Sequence, residues 1–244
     1  IEWDWFDDSG HSHRPTETQF DMVTASFAAQ GIEVIHDYGQ GSAPFNGGNL
    51  IPDADGTIDR IGPEFEAYRG SHSDDNRKGY FHYAIGAFNI VNNDGTNCPC
   101  GGVGELLGDE FVFVNYGVKT IQHELGHNLG LGHGGRRPGP WGYDPTNYKP
   151  NYNSIMNYLY GAGVDRDCAR GGDGVLDFSH GVNPDLDENN LDETRGICGR
   201  APGWDWNGDG DILDKNEAAH DDPWYKAIFT AWLDDWYFGG DYNF

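Results

Sequence analysis

The chain has 244 residues, of which 40 are acidic and 15 are basic, so its formal net charge is −25. A negative charge of this size repels nucleic acid and anionic lipid, and it argues against both as partners. Membrane insertion is also disfavoured, because no apolar run approaches the roughly 18 residues that a spanning helix needs. The length is enough to bury a substantial core, as one large domain or as two small lobes.

The first half of the chain alternates between helical and extended patterns. The segment PTETQFDMVTASFAAQG, residues 15–31, predicts a first helix that Gly31 ends. Its apolar face is expected to contain Phe20, Met22, Val23 and Phe27. Apolar runs at 32–36, 81–91 and 110–116 predict three strands, and the segment HELGHNLGLGH after them predicts a helix. This order of elements predicts an α/β fold of the α+β kind.

The second half, from about Gly134, has few regular patterns and is rich in glycine, asparagine, proline and aspartate, which predicts long loops. Residues 221–238, DDPWYKAIFTAWLDDWYF, predict a closing helix, because Asp222 can cap it and Pro223 suits its first turn. Its core-facing positions are Trp224, Ile228, Trp232 and Trp236. We therefore expect an upper lobe over residues 1–133 and a loop-rich lower lobe over residues 134–244.

The four cysteines, Cys98, Cys100, Cys168 and Cys198, are even in number and lack zinc-finger spacing. Such cysteines favour two disulfides in a secreted, extracellular protein, with four unpaired thiols as the alternative. Three pairings are open. The pairing of Cys168 with Cys198 is attractive because it closes a loop region rich in glycine and aspartate.

The segment HELGHNLGLGH, residues 123–133, places chemical groups at the spacing of a metal site. On a helix, residues four apart lie on one face, so His123 and His127 can direct two imidazoles at one ion. Glu124 projects beside that ion, where it can accept a proton from metal-bound water. A polar helix with incidental histidines is the alternative interpretation.

The third histidine, His133, can join this site only if the helix ends. In a continuous helix it would lie about 15 Å along the axis from His123. Gly130 is placed to end the helix, since glycine adopts the left-handed conformation without steric penalty and lets the chain turn back. Three neutral imidazoles leave a fourth position for water, which is typical of catalytic zinc.

This segment resembles H-E-x-x-H-x-x-G-x-x-H, the signature of the metzincin zinc endopeptidases. SIMNY, residues 154–158, resembles the methionine-containing turn of that family, with Met156 as its methionine. Tyr158 matches a tyrosine that binds the metal or stabilises the oxyanion in some members. Gly134 departs from the residues that mark the better-known subfamilies, and the segments DDSGHSHRPT and DFSHGVNPDLDENNLDE resemble an uncharacterised secreted branch.

The resemblance implies a fold, an activity and a substrate geometry. It implies an upper lobe with a twisted mixed sheet and the active-site helix, and a lower lobe that ends in a helix, together forming one catalytic domain. It implies a secreted, monomeric, zinc-dependent endopeptidase in which Glu124 activates a water molecule and Tyr158 stabilises the oxyanion. It also implies that the peptide substrate lies extended along an edge strand, for which EFVFVNY, residues 110–116, is the candidate.

A second cation site is suggested in DWNGDGDILDKNE, residues 205–217, which resembles a calcium loop. Its candidate ligands for Ca²⁺ are Asp205, Asn207, Asp209 and Asp211. The closing glutamate, Glu217, falls one place later than in the standard loop. A solvated acidic turn is the alternative.

Two other functions are compatible with the same residues. The protein could be a metal-binding adhesin or pseudoenzyme with no hydrolytic role, although such a site has no need of Glu124 beside its metal. It could also be a zinc hydrolase that cleaves a non-peptide amide.

Overall fold

A computed structural model describes residues 1–7, 10–52, 55–114, 117–135, 147–168, 172–181, 183, 190–196, 198, 202–205 and 210–217. The chain divides into two compact units, Ile1–Gly130 and Leu131–Phe244. The fold is mixed α/β, with a five-stranded mixed sheet and three α-helices in the described part. None of the helices described is long and apolar enough to cross a bilayer.

The first unit contains all of these helices and most of the strands. Its helices are α1 (Glu17–Ala28), α2 (Pro63–His72) and α3 (Val118–Asn128). Its strands are β1 (Glu2–Phe6), β2 (Leu50–Ile51), β3 (Thr57–Asp59), β4 (Tyr83–Gly86), β5 (Asn89–Val91), β6 (Gly102–Gly104) and β7 (Glu110–Phe113). The main sheet has the order β2-β1-β4-β7-β6, while β3 and β5 form a separate parallel pair.

Strand β7 is an inner strand of the main sheet. It pairs in parallel with β4 through Tyr83 and Glu110, and antiparallel with β6 through Gly102 and Phe113. The expectation that segment 110–116 supplies the edge strand is therefore wrong, because the short β6 covers that side. The strand itself is confirmed over 110–113, and residues 115–116 lie outside the described part.

Two further strand predictions need correction. Residues 32–36 form no strand, and the chain pairs with the sheet just after them through an isolated bridge between Asp37 and Glu2. The predicted strand over 81–91 is two strands, β4 and β5, in different sheets. The chain leaves the main sheet between them, where the N–H of Phe88 donates to the carbonyl of Gly56 at 2.8 Å.

Helix α1 confirms the helix predicted within residues 15–31, although it is shorter at both ends. Thr16 and Gln19 form a capping box at its start, and Gly31 has a φ of 76° just beyond its end. Three of the four apolar residues expected on its inner face, Phe20, Val23 and Phe27, are buried. Met22 is 47% exposed, so its assignment to that face was wrong.

Strand β1 was not predicted, although it is central to the sheet. Its sequence EWDWF alternates acidic and aromatic residues, and four of its five residues are buried. The carboxylate of Glu2 pairs with Arg77 at 2.8 Å, and that of Asp4 accepts hydrogen bonds from the Tyr83 hydroxyl and the Asn49 N–H. Burial raises the pKa of the Asp4 carboxyl to about 7, against the opposing effect of those two hydrogen bonds.

The described residues of the second unit lie mainly in loops, as expected. It contains a two-stranded antiparallel pair, β8 (Leu191–Asp192) and β9 (Lys215–Glu217), and a 3-10 turn over Tyr158–Tyr160. Its described core includes Tyr152, Ile155, Met156, Tyr160 and Phe178. The predicted closing helix at 221–238 lies outside the described residues.

All four cysteines are in disulfides, which confirms the prediction of two bridges. Cys98 pairs with Cys100, and Cys168 pairs with Cys198, so the structure adopts one of the three open pairings. The second bridge closes a segment with a sequence separation of 30 within the loop-rich unit.

Candidate metal centre

Helix α3 carries His123, Glu124 and His127. It ends at Asn128, where the N–H of Leu129 donates to the carbonyl of Leu125 at 3.1 Å and that of Gly130 donates to the carbonyl of His127 at 2.8 Å. Gly130 has a φ of 87°, a conformation that residues with a side chain rarely adopt. The chain therefore turns away from the helix axis three residues before His133.

The three histidines of this segment converge. One ligand nitrogen from each of His123, His127 and His133 lies within 4.8 Å of the others. The rings of His123 and His127 are perpendicular, with their centroids 4.8 Å apart. His123 is buried and the other two are half-buried. The arrangement could hold a metal ion between the three imidazoles.

Glu124 is buried against the edge strand β6. A Cβ atom on Gly102 would lie 2.7 Å from the Glu124 Oε1, and one on Gly104 would lie 2.4 Å from the Glu124 carbonyl oxygen. Strand β6 can approach α3 this closely only because both residues are glycines. Glu124 is only 6% exposed, so this contact shields its carboxyl group from bulk solvent.

The surroundings of Glu124 favour its neutral form in the absence of a cation. Burial raises the pKa of its carboxyl to about 8, while a hydrogen bond from the Gly104 N–H and the positive charge of Arg60 act in the opposite direction. A carboxyl with a pKa near neutrality can both accept and return a proton.

Tyr158 lies beside the third histidine. Its ring centroid is 4.6 Å from that of His133, and the residue is 49% exposed. Its N–H donates to the Asn147 Oδ1 at 2.8 Å, which fixes the backbone from which the phenol projects. Met156, two residues earlier, is fully buried, and its N–H donates to the Ser154 Oγ at 3.2 Å.

Comparison with known proteins gives no identification. No model of a known protein family matches the chain, and no curated protein matches it.

Asn128 is a residue of the site that sequence reasoning missed. Its amide donates to the carbonyls of Glu105 and Glu110, both at 2.8 Å, and its Oδ1 lies 3.0 Å from the His82 Nδ1. These bonds fix the last turn of α3, and with it His127, to the loop between β6 and β7. The only sequence signal for this role was that an asparagine directly follows the second histidine.

The candidate calcium loop is only partly described. Asn207 and Asp209 lie outside the described residues. Asp205 accepts a hydrogen bond from the Gly210 N–H at 3.0 Å, and Asp211 accepts one from the Leu213 N–H at 2.9 Å. Within the described part, the acidic side chains that do converge are Asp165, Asp167 and Asp173.

Proposed function

We propose that this protein is a secreted zinc-dependent endopeptidase of the metzincin type. The observation that carries the proposal is the convergence of His123, His127 and His133 around one point, with Glu124 following the first of them on the helix. The two disulfides are compatible with an oxidising, extracellular compartment.

The donor set fits zinc. Imidazole nitrogens bind Zn²⁺ at about 2.0–2.1 Å, so ligand atoms already within 4.8 Å of one another need only small side-chain movements to meet one ion. Structural zinc sites use four protein ligands, whereas catalytic sites keep one position open. Three histidines therefore favour a catalytic site. When bound, the ion supplies Lewis acidity for a water molecule and for the carbonyl of the scissile bond.

Glu124 is the proposed general base. Beside a bound dication the pKa of its carboxyl falls, because the positive charge favours the carboxylate. The carboxylate then accepts a proton from the attacking water and returns it to the leaving amine. The closeness of Gly102 and Gly104 keeps this side chain in one place and shields it from solvent.

Tyr158 is the proposed donor to the oxyanion. Its ring packs against His133 and its backbone is fixed by Asn147, so its hydroxyl is held in a restricted region next to the third ligand. A positioned hydroxyl donor stabilises negative charge that develops on the carbonyl oxygen in the transition state.

Strand β6 is the proposed docking edge for the substrate. It is the terminal strand of the main sheet, and it lies directly against the helix turn that carries Glu124. An extended peptide can add to such an edge through main-chain hydrogen bonds, which brings its backbone next to the catalytic carboxyl. This replaces the inner strand β7 as the candidate edge.

The proposal is tested by digesting a proteome-derived peptide library with the purified protein, with a zinc chelator, and after zinc is added back. We expect cleavage that the chelator abolishes and zinc restores, with about one zinc per chain by metal analysis. Cleavage of no peptide by the zinc-loaded protein would favour a non-hydrolytic metal-binding role. Turnover of acyl-amide substrates without peptide cleavage would favour a non-peptide amidase.

A further inference from the structure

The third histidine lies in a glycine-rich segment. Four of the six residues 130–135 are glycines, two of which flank His133 directly. Glycine loses more conformational freedom on folding than any other residue, so this segment needs restraint from elsewhere if His133 is to stay in place. His123 and His127 do not have this difficulty, because α3 fixes their backbone.

Two buried polar side chains supply that restraint. The Tyr152 hydroxyl donates to the carbonyl of Gly132 at 3.4 Å, and the Lys149 Nζ donates to the carbonyl of Gly134 at 3.1 Å. The carbonyls of both residues that flank His133 are therefore bonded to side chains. The Gly132 carbonyl also accepts from the Gly135 N–H at 3.1 Å, which closes a tight turn around the histidine.

The segment that carries these side chains is itself fixed from the methionine-containing turn. The amide of Asn157, next to Met156, donates to the carbonyls of Lys149 at 2.6 Å and Tyr152 at 2.9 Å. Lys149, Tyr152 and Asn157 are all fully buried. A continuous set of hydrogen bonds thus runs from Asn157 through residues 149–152 to the glycines on either side of His133.

Packing alone does not account for the identity of these side chains. Burying an ammonium or a hydroxyl is unfavourable unless it is hydrogen-bonded, and a leucine or phenylalanine would fill the same space without that cost. The polar groups of Lys149 and Tyr152 are directed at the two carbonyls that flank a metal ligand, and such outer contacts orient ligands and tune metal affinity.

We propose that Lys149 and Tyr152 are positioning residues for His133, and that they set how tightly the third ligand holds the metal. The inference rests on the proposed metal centre, and it concerns metal affinity and geometry rather than the reaction. The side chains that set zinc affinity would then include two in the segment before the methionine-containing turn, about twenty residues after His133 in the sequence.

A matched pair of variants tests the proposal. Tyr152→Phe and Tyr83→Phe each remove one hydroxyl from a buried tyrosine that donates a hydrogen bond, but Tyr83 donates to the Asp4 carboxyl in the main sheet rather than to a residue beside His133. The zinc dissociation constant is measured by chelator competition, and the thermal unfolding of the metal-free protein is measured alongside. The visible spectrum of the Co²⁺-substituted protein reports the ligand geometry.

We expect zinc affinity to fall about 2- to 10-fold in Tyr152→Phe, the effect of one lost hydrogen bond, with an altered cobalt spectrum. Tyr83→Phe should lose thermal stability while it keeps the zinc affinity and the cobalt spectrum of the original protein. In Lys149→Met the loss of affinity should be larger, about 10- to 100-fold, because a charged donor is removed.

Equal zinc affinity in Tyr152→Phe and the original protein would overturn the proposal, and so would an equal loss in Tyr83→Phe. If Lys149→Met does not fold, the tyrosine pair still decides the question. A protein that binds zinc but cleaves no peptide would contradict the proposed endopeptidase function alone, whereas a protein that binds no zinc would contradict both.

Discussion

Replacing Gly130 with valine should weaken zinc binding without removing any ligand. Gly130 has a φ of 87°, and the left-handed region costs a residue with a side chain about 1–2 kcal/mol, with up to about 3 kcal/mol for strained positions. The new Cβ would also lie 2.5 Å from the Leu107 Cδ2, but Leu107 is 72% exposed and its side chain can rotate away. Backbone strain is therefore the dominant effect.

This strain can be relieved by changing the turn, which moves His133 away from His123 and His127. Metal binding would then have to restore the strained turn, so the strain appears as lost affinity. Because about 1.4 kcal/mol corresponds to a factor of ten, we expect zinc binding to weaken about 5- to 100-fold. The measurement is the zinc dissociation constant by chelator competition, with the free energy of unfolding of the metal-free protein measured in parallel.

Gly31 offers a matched control. It lies just after α1 with a φ of 76°, and a Cβ there would meet no atom within 4 Å. Gly31→Val should lower the stability of the fold by a comparable amount and leave zinc affinity unchanged. Unchanged zinc affinity in Gly130→Val, or an equal loss in both variants, would refute the role assigned to the turn.

Three further predictions concern the proposed oxyanion donor Tyr158, the edge strand and the buried carboxyl of β1. Tyr158→Phe should lower kcat about 100-fold with little change in KM or in zinc content, because it removes a donor to the transition state; steady-state kinetics with metal analysis checks this. Gly104→Val should reduce both stability and activity, because its Cβ would meet the Glu124 carbonyl oxygen at 2.4 Å; a variant with normal activity would contradict the close packing of β6 on α3. The fold should become less stable as pH rises, because the pKa of the Asp4 carboxyl is about 7 in the folded protein and 3.8 for a free aspartate. The contribution of the neutral Asp4 carboxyl to the free energy of unfolding is therefore complete below about pH 4 and is lost as pH rises through 7. Denaturant unfolding between pH 4 and 8 should show this slope, of a few kcal/mol at most, and Asp4→Asn should flatten it.

The cluster of three histidines could be predicted from sequence because its requirements are local. The spacing of His123 and His127 needs only one helical turn, and the position of His133 needs only that the helix end, which the φ of Gly130 allows. Helix α1 was predictable for the same reason, since its capping box and apolar spacing lie within one short segment.

The sheet was harder to predict because its strands depend on distant partners. The acidic residues of β1 are buried only because Arg77 and Tyr83, far along the chain, bind Glu2 and Asp4. Helix α2 was missed despite Pro63 in its first turn, because few apolar residues mark its inner face and the buried Arg69 pairs there with Asp109 at 2.8 Å.

The edge strand was misassigned because the alternation of glycines in β6 carries no hydrophobic pattern. Strand β7 is strongly apolar, and an apolar run is the usual signal of a strand but says nothing of whether a neighbour lies beyond it. Glycines at 102 and 104 were a usable signal, since two glycines at a spacing of two indicate a strand that another backbone approaches closely.

The proposed role of Glu124 as the base of a zinc endopeptidase is tested most directly by one comparison. Zinc content and peptide cleavage are measured on the same samples of the original protein, of Glu124→Gln and of the control Glu66→Gln, which changes an exposed helical glutamate. We expect full zinc content in all three proteins, with cleavage lowered about 10²- to 10⁴-fold in Glu124→Gln alone. Cleavage at the original rate by zinc-loaded Glu124→Gln would contradict it.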